Sequence, residues 1–163
     1  MIFVTVGTHH APFDRLVRAI EQWAATHDED VVVQLGSSLE PAPSCVSATL
    51  MEPDEVERHM AAARVVITHG GPASILLALA HHKVPIVVPR SGRHGEHVDD
   101  HQIAFARRMA DRVHLCEDPA ELAQCIDRHG GQMRRPTADA DRSQVFAAAL
   151  GRLIDELLDP HPR

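Results

Sequence analysis

Val65-Val66-Ile67-Thr68-His69-Gly70-Gly71-Pro72-Ala73-Ser74 is the stretch on which the fold of this chain turns. A β-branched run, Val65 to Thr68, reads as a buried strand. Pro72 reads as the first residue of a helix, where its missing N–H costs nothing. Between them stand two bare glycines. The N–H groups of Ala73, Ser74 and Ile75 then fall in the first turn, where a helix has spare donors. Gly70 and Gly71 leave room for close approach to the backbone. Such a strand–glycine–helix junction suits an anion, phosphate above all. Ser74 adds a hydroxyl and His69 a ring donor at the mouth. The same residues also fit a plain tight turn with His69 on the surface.

The pattern repeats on both sides of this stretch. Upstream, Ile2 to Val6 reads as a strand ended by Gly7. Phe13, Leu16, Val17, Ile20 and Ala24 follow at helical spacing. Val31 to Leu35 is a second strand, and a Pro/Ser-rich loop runs from Ser37 to Ser44. Val46 to Leu50 is a weaker strand. Pro53, Asp54 and Glu55 then open a helix reaching about Ala63. Downstream, the helix from Pro72 continues through Leu76, Leu79 and Ala80. Pro85 to Pro89 is a strand, Val98 to Ala110 a long helix, and Val113 to Leu115 a short strand. Pro119 starts a helix reaching Ile126, and a polar stretch occupies residues 129–141. A last helix is expected at about 143–158, with Phe146, Leu150, Leu153, Ile154, Leu157 and Leu158 on an apolar stripe. That stripe suits packing on the domain's own body, and a partner-docking role comes second.

This alternation predicts an α/β fold, a Rossmann-like and mostly parallel sheet with helices on both faces, in one domain over residues 1–163. In such sheets ligands bind beyond the carboxyl ends of the strands. The loops to inspect are therefore Gly7 to Pro12, His69 to Ser74, and Arg90 to Gln102.

Composition narrows the function. Hydrophobic residues make up 44%, aromatics only 3% with no Tyr, and the net charge is -7. A stacking surface for single-stranded nucleic acid and a basic footprint for a phosphate backbone are both missing, so no nucleic-acid partner is expected. Cys45, Cys116 and Cys125 are scattered and form no CxxC pair. That usage fits a reducing cytosol. Met1 to Val6 begins directly as a strand and lacks the basic and apolar regions of a signal peptide. Apolar runs such as Ile75 to Ala80 are too short to span a bilayer.

His97 and His101 stand four apart, with Glu96, Asp99 and Asp100 beside them, and invite a zinc reading on one helix face. No Glu directly follows His97 and no distant third ligand is evident. With 13 histidines in the chain, one such pair carries little weight, and no metal is assigned. Arg90 and Arg93 follow a strand end facing the expected cleft, where they suit a diphosphate or a carboxylate or remain solvated. Trp23 reads as core or interface, and Met51, Met60 and Met109 as core filler.

His69, Gly71 and Ser74 fit the H-x-G-x-x-S pattern of nucleotide-sugar glycosyltransferases with the GT-B fold. Phe3-Val4-Thr5-Val6-Gly7-Thr8, followed by Pro12-Phe13-Asp14-Arg15-Leu16, resembles the glycosyltransferase family 28 C-terminal domain. Within it the chain is similar to the small catalytic subunit of the two-chain UDP-N-acetylglucosamine transferase of dolichol-linked glycan synthesis. Gly95-Glu96-His97-Val98-Asp99-Asp100-His101-Gln102 resembles the bacterial exopolysaccharide branch in particular. The resemblance covers roughly residues 1–128.

The resemblance implies the C-terminal, donor-binding half of an inverting GT-B enzyme that uses no metal or other cofactor. His69, Gly70, Gly71, Ala73 and Ser74 would meet the diphosphate of a UDP-sugar, with Arg90 beside them. Asp100, His101 and Gln102 would meet the sugar, and Gly7 and Thr8 would line the cleft. The acceptor half would be a separate, membrane-anchored subunit that holds a lipid-linked acceptor and, by expectation, the general base. His9 or His10 is the fallback base in this chain. The protein would be cytoplasmic and peripheral to the membrane through that partner. One position departs from the pattern: Leu77 stands where the family has an acidic residue for the ribose hydroxyls. It leaves room for a second reading, a non-catalytic nucleotide-sugar-binding module. A third is a metal-dependent hydrolase using His97 and His101.

Overall fold

A computed structural model describes residues 1–39, 44–129 and 131. Six parallel strands form one sheet in the order β3-β2-β1-β4-β5-β6. They are β1 (Ile2–Thr5), β2 (Val31–Gln34), β3 (Val46–Ala48), β4 (Val65–His69), β5 (Ile86–Val88) and β6 (His114–Leu115). The helices are α1 (Asp14–Ala24), α2 (Pro53–Ala62), α3 (Pro72–Ala80), α4 (His101–Arg108) and α5 (Leu122–His129). Ile2 pairs with both Val31 and Val65, so β1 and β4 are neighbours at the centre of the sheet. The strand order reverses there, and the crevice beyond the carboxyl ends of β1 and β4 is where such folds take ligands.

Both faces of the sheet are buried, and the side-chain period of two separates them. Ile2, Val4, Val31, Val33, Val65, Ile67, Ile86 and Val88 point to one face. Leu16, Val17, Ile20 and Trp23 of α1 cover that face, together with Leu122 and Ile126 of α5. Phe3, Val32 and Val66 point the other way, onto Met60 of α2 and Ala78 of α3. Val87 does the same against Ile75 and Ala106. Each fully buried Val, Ile, Leu or Phe contributes roughly 1.5–3 kcal/mol, so a one-residue register slip would be costly at the buried strands β1, β2, β4 and β5, whereas the edge strand β3 is largely exposed.

Several expected elements are shorter than their patterns suggested: the strand placed at Val46 to Leu50 ends at Ala48, and the helix expected from Pro119 opens as a 3-10 turn before α5. The helix placed at Val98 to Ala110 begins only at His101. Asp99 Oδ1 accepts the His101 N–H at 3.1 Å, and Asp100 Oδ1 accepts the Gly92 N–H at 2.8 Å. These side-chain bonds hold residues 97–100 in turns instead of a helix. The helix expected at about 143–158 and its apolar stripe lie outside the described residues, as does part of the Ser37 to Ser44 loop. Among the described residues, no helix is long and apolar enough to cross a membrane.

Candidate functional site

Three segments meet beyond the carboxyl ends of the central strands: residues 6–13 after β1, Gly70 and Gly71 after β4, and residues 89–102 after β5. α3 opens on Pro72 with Gly71 as its N-cap and no side-chain cap bond. Its first turn contains no acidic residue, whereas α1 carries Asp14 there and α2 carries Asp54 and Glu55. The positive end of the α3 dipole is thus left unneutralised by its own sequence. Ile75 N–H already bonds the Gly71 carbonyl at 3.2 Å, so the donors expected from this turn reduce to those of Ala73 and Ser74.

His69 is not at the mouth. It is 9% exposed, and its ring lies between two glycines. A Cβ added at Gly71 would stand 2.2 Å from His69 Nε2, and one at Gly7 would stand 2.6 Å from His69 Cε1. Gly7 also has φ +75°, a conformation that favours glycine. At Gly70, an added Cβ would meet Gln102 Cβ at 2.8 Å. The bareness of these glycines is therefore already required by packing within the chain. Burial, reinforced by the Arg90 charge, lowers the His69 pKa to about 4. Its Nδ1 is buried without a hydrogen-bond partner. The ring is therefore neutral at physiological pH.

Unfolded His69 takes up a proton near pH 6.5, and folded His69 only near about 4. Its contribution to stability is complete above pH 6.5 and is lost as pH falls toward 4, in total about 3 kcal/mol. Denaturant unfolding between pH 7 and pH 4.5 should show this loss, and a ring NMR titration should give a midpoint well below pH 6. A midpoint above pH 6 would contradict the buried, neutral ring.

Arg90 is fully buried, not facing the cleft. Nη1 donates to the carbonyls of Ala11 (2.8 Å), Pro12 (3.3 Å) and Glu96 (3.1 Å), and Nη2 to that of Val6 (2.8 Å). Its guanidinium carbon lies 4.9 Å from the centre of the Phe13 ring. Burial lowers its pKa to about 10, with Glu96 opposing, so it stays charged. Arg90 is a tie between the loop after β1 and the segment before α4. Arg93, by contrast, is exposed.

Glu96 is the partner that sequence reasoning did not single out. It is 4% exposed, takes Arg15 in a two-pronged pair at 2.9 and 3.0 Å, and accepts the Ser91 N–H at 3.0 Å. Asp14 accepts the Leu39 N–H at 2.9 Å. The Phe13-Asp14-Arg15 motif is thus a latch that fastens three loops around the crevice.

Of the three residues assigned to the sugar, Asp100 bonds Ser91 Oγ at 3.0 Å as well as Gly92 N–H, and these bonds lower its pKa. Gln102 is buried and its Oε1 accepts the Arg90 N–H at 3.2 Å. His101 is exposed, and so are Thr8, His10 and Ala73, while Ser74 and Gly7 are half-buried. His9 stacks on His97 at 4.5 Å and lies 4.3 Å from His10, and His97 meets His101 edge-on at 4.5 Å. Burial, then the neighbouring His97, lowers the His9 pKa. Leu77 is half-buried against the cluster of Phe3, Met60 and Val66.

The sequence signature of the glycosyltransferase family 28 C-terminal domain matches residues 1–152. The chain belongs to this family. No curated protein matches it in sequence. Among solved structures, this family 28 domain is similar to the calicheamicin glycosyltransferase CalG4, with 19% identity over 96% of this chain and 40% of that one, at a TM-score of 0.58. It is similar to the glycotransferase of kitacinnamycin, with 18% identity over 99% of this chain and 43% of that one, at a TM-score of 0.62. It is also similar to the glycosyltransferase SnogD from Streptomyces nogalater, with 19% identity over 99% of this chain and 40% of that one, at a TM-score of 0.51. At such identities the likeness concerns the fold. It agrees with the Rossmann-like half of a GT-B glycosyltransferase. The family 28 domain spans about two fifths of the length of each of these proteins.

Proposed function

We propose that this chain is the donor-binding subunit of an inverting glycosyltransferase, which moves a sugar from a UDP-sugar to a lipid-linked acceptor in exopolysaccharide or glycan assembly. The observation that carries this reading is the start of α3. It is a helix N-terminus at the switch point of the sheet, with no side-chain cap and no acidic residue in its first turn. In the proposed complex the N–H groups of Ala73 and Ser74 and the Ser74 hydroxyl face the diphosphate. There they stabilise the charge that grows on the departing UDP. His69, neutral and packed between Gly7 and Gly71, sets the shape of that cradle. Arg90 acts through the loops it ties together. His101 and Thr8 are the exposed side chains at the rim offered to the sugar, with Gln102 and Asp100 holding the backbone beneath.

The acceptor and its general base reside on a second, membrane-anchored subunit, and His9 or His10 is the fallback base in this chain. Leu77 favours one competing reading, a module that binds the nucleotide-sugar without catalysis. An apolar side chain packed on Met60 and Val66 gives the ribose no acceptor.

Ser74→Asp tests the cradle. A carboxylate in the first turn neutralises the dipole and repels the phosphates, so UDP affinity should fall by about 1–2 kcal/mol, or roughly tenfold, with the fold intact. Unchanged UDP affinity in calorimetry would place the phosphates elsewhere.

A further inference from the structure

We infer that His97, Asp99 and His101 form a binding site for a borderline-soft divalent metal ion, zinc above all, at the rim of the crevice. The sequence pattern suggested two histidines on one helix face, with Glu96, Asp99 and Asp100 nearby and no distant third ligand. The structure corrects the helix face and selects Asp99 among the nearby carboxylates. His97 precedes the helix, and a turn, not a helical repeat, brings it beside His101. The third group lies between them. One ligand atom from each of the three residues falls within 4.8 Å of the other two. Asp99 Oδ1 is hydrogen-bonded to His101 Nδ1 and stands 3.6 Å from His97 Nδ1.

The backbone that presents this trio is held from beneath. Glu96 is fixed by Arg15 and Ser91, Asp100 by Ser91 and Gly92, and Gln102 by Arg90. The bonds of Glu96, Asp100 and Gln102 thus anchor the segment that carries His97, Asp99 and His101. Two imidazoles and a carboxylate are the donor set of three-ligand zinc sites, which leave a further position for water or substrate. With Zn–N and Zn–O bonds of about 2.0–2.2 Å, Asp99 Oδ1 and His101 Nδ1 must give up their mutual hydrogen bond and move apart to admit the ion, while His97 Nδ1 already stands at a suitable 3.6 Å from Asp99 Oδ1. Asp99 and His101, 60% and 52% exposed, have space to do so. His97 Nδ1 now accepts the Val98 N–H at 3.0 Å. Val98 is 80% exposed, so water can take over that N–H when the ion takes the nitrogen. The stack of His9 on His97 limits how far the His97 ring can turn.

This inference does not rest on the donor reading, although both use His101: an ion there would occupy the side chain offered to the sugar, so the titrations use the chain without nucleotide. The full chain, stripped with EDTA and dialysed, is titrated with Zn²⁺ by calorimetry and with Co²⁺ by visible absorption. One ion should bind per chain, and Mg²⁺ should not compete, since imidazoles suit zinc and cobalt better than magnesium. His101→Ala and Asp99→Asn should each weaken zinc by about tenfold or more, and Asp99→Asn should change the cobalt spectrum. His27→Ala, at the opposite end of the domain against Trp23, should leave zinc affinity unchanged. Circular dichroism establishes that each variant is folded. The inference is overturned if the folded His97→Ala/His101→Ala double variant binds zinc like the parent chain. It is equally overturned if zinc does not bind, or if His27→Ala weakens it as much as His101→Ala does.

Discussion

Replacing Arg90 by Met is expected to destabilise the domain by about 3–5 kcal/mol, the range for removing one partner from a buried charged network. Met retains most of the volume and the apolar contact with Phe13, so the loss is chiefly polar. Four carbonyls, those of Val6, Ala11, Pro12 and Glu96, lose their guanidinium donor together. Glu96 also loses a buried positive neighbour, although Arg15 remains bonded to it. The loop after β1 and the segment before α4 then have one tie fewer. Denaturant unfolding should show the loss in the midpoint, and the variant should bind UDP more weakly wherever it is still folded. A change below about 0.5 kcal/mol, the usual scale of surface substitutions, would mean that Arg90 is not the buried tie described above.

The second large effect concerns catalysis. The isolated chain should transfer essentially no sugar to a lipid-linked acceptor, and activity should appear on adding a membrane-anchored acceptor-binding subunit. The chain spans about two fifths of the glycosyltransferases it resembles in structure. A donor site alone supplies ground-state affinity. Rate requires an acceptor hydroxyl and a base held in place, and such positioning is worth about 7–11 kcal/mol in well-oriented systems. A transfer assay with and without the co-expressed partner measures this directly. Robust transfer by the single purified chain would refute the two-subunit reading.

The sheet was readable from sequence because both of its faces are buried. Val31 to Gln34 and Val65 to Thr68 are β-branched or polar only where packing permits, and such runs between turn residues have few other uses. Pro53 and Pro72 marked their helices because proline is tolerated in a first turn and not later. The start of α4 was not readable. Val98, Gln102 and Ala106 continue a helical spacing, while the bonds that stop the helix depend on Asp99 and Asp100 folding back onto nearby N–H groups. Arg90 was misjudged for a different reason. An arginine after a strand reads the same whether it faces solvent or a ring of carbonyls, and those carbonyls belong to residues as far away as Val6. Glu96 was obscure for the same reason, since its partner Arg15 is 81 positions away. Gly70 and Gly71 read as open backbone, but the side chains that fill their space, Gln102 at Gly70 and His69 at Gly71, can only be seen in three dimensions.

In the proposed complex the bare N-terminus of α3, and not a cation, holds the donor's diphosphate. Calorimetric titration of the chain with UDP in EDTA tests it most directly. Saturable binding at one site is expected, unchanged when the chelator is replaced by Mg²⁺ or Mn²⁺. UDP binding that vanishes in EDTA and returns with a divalent ion would contradict it.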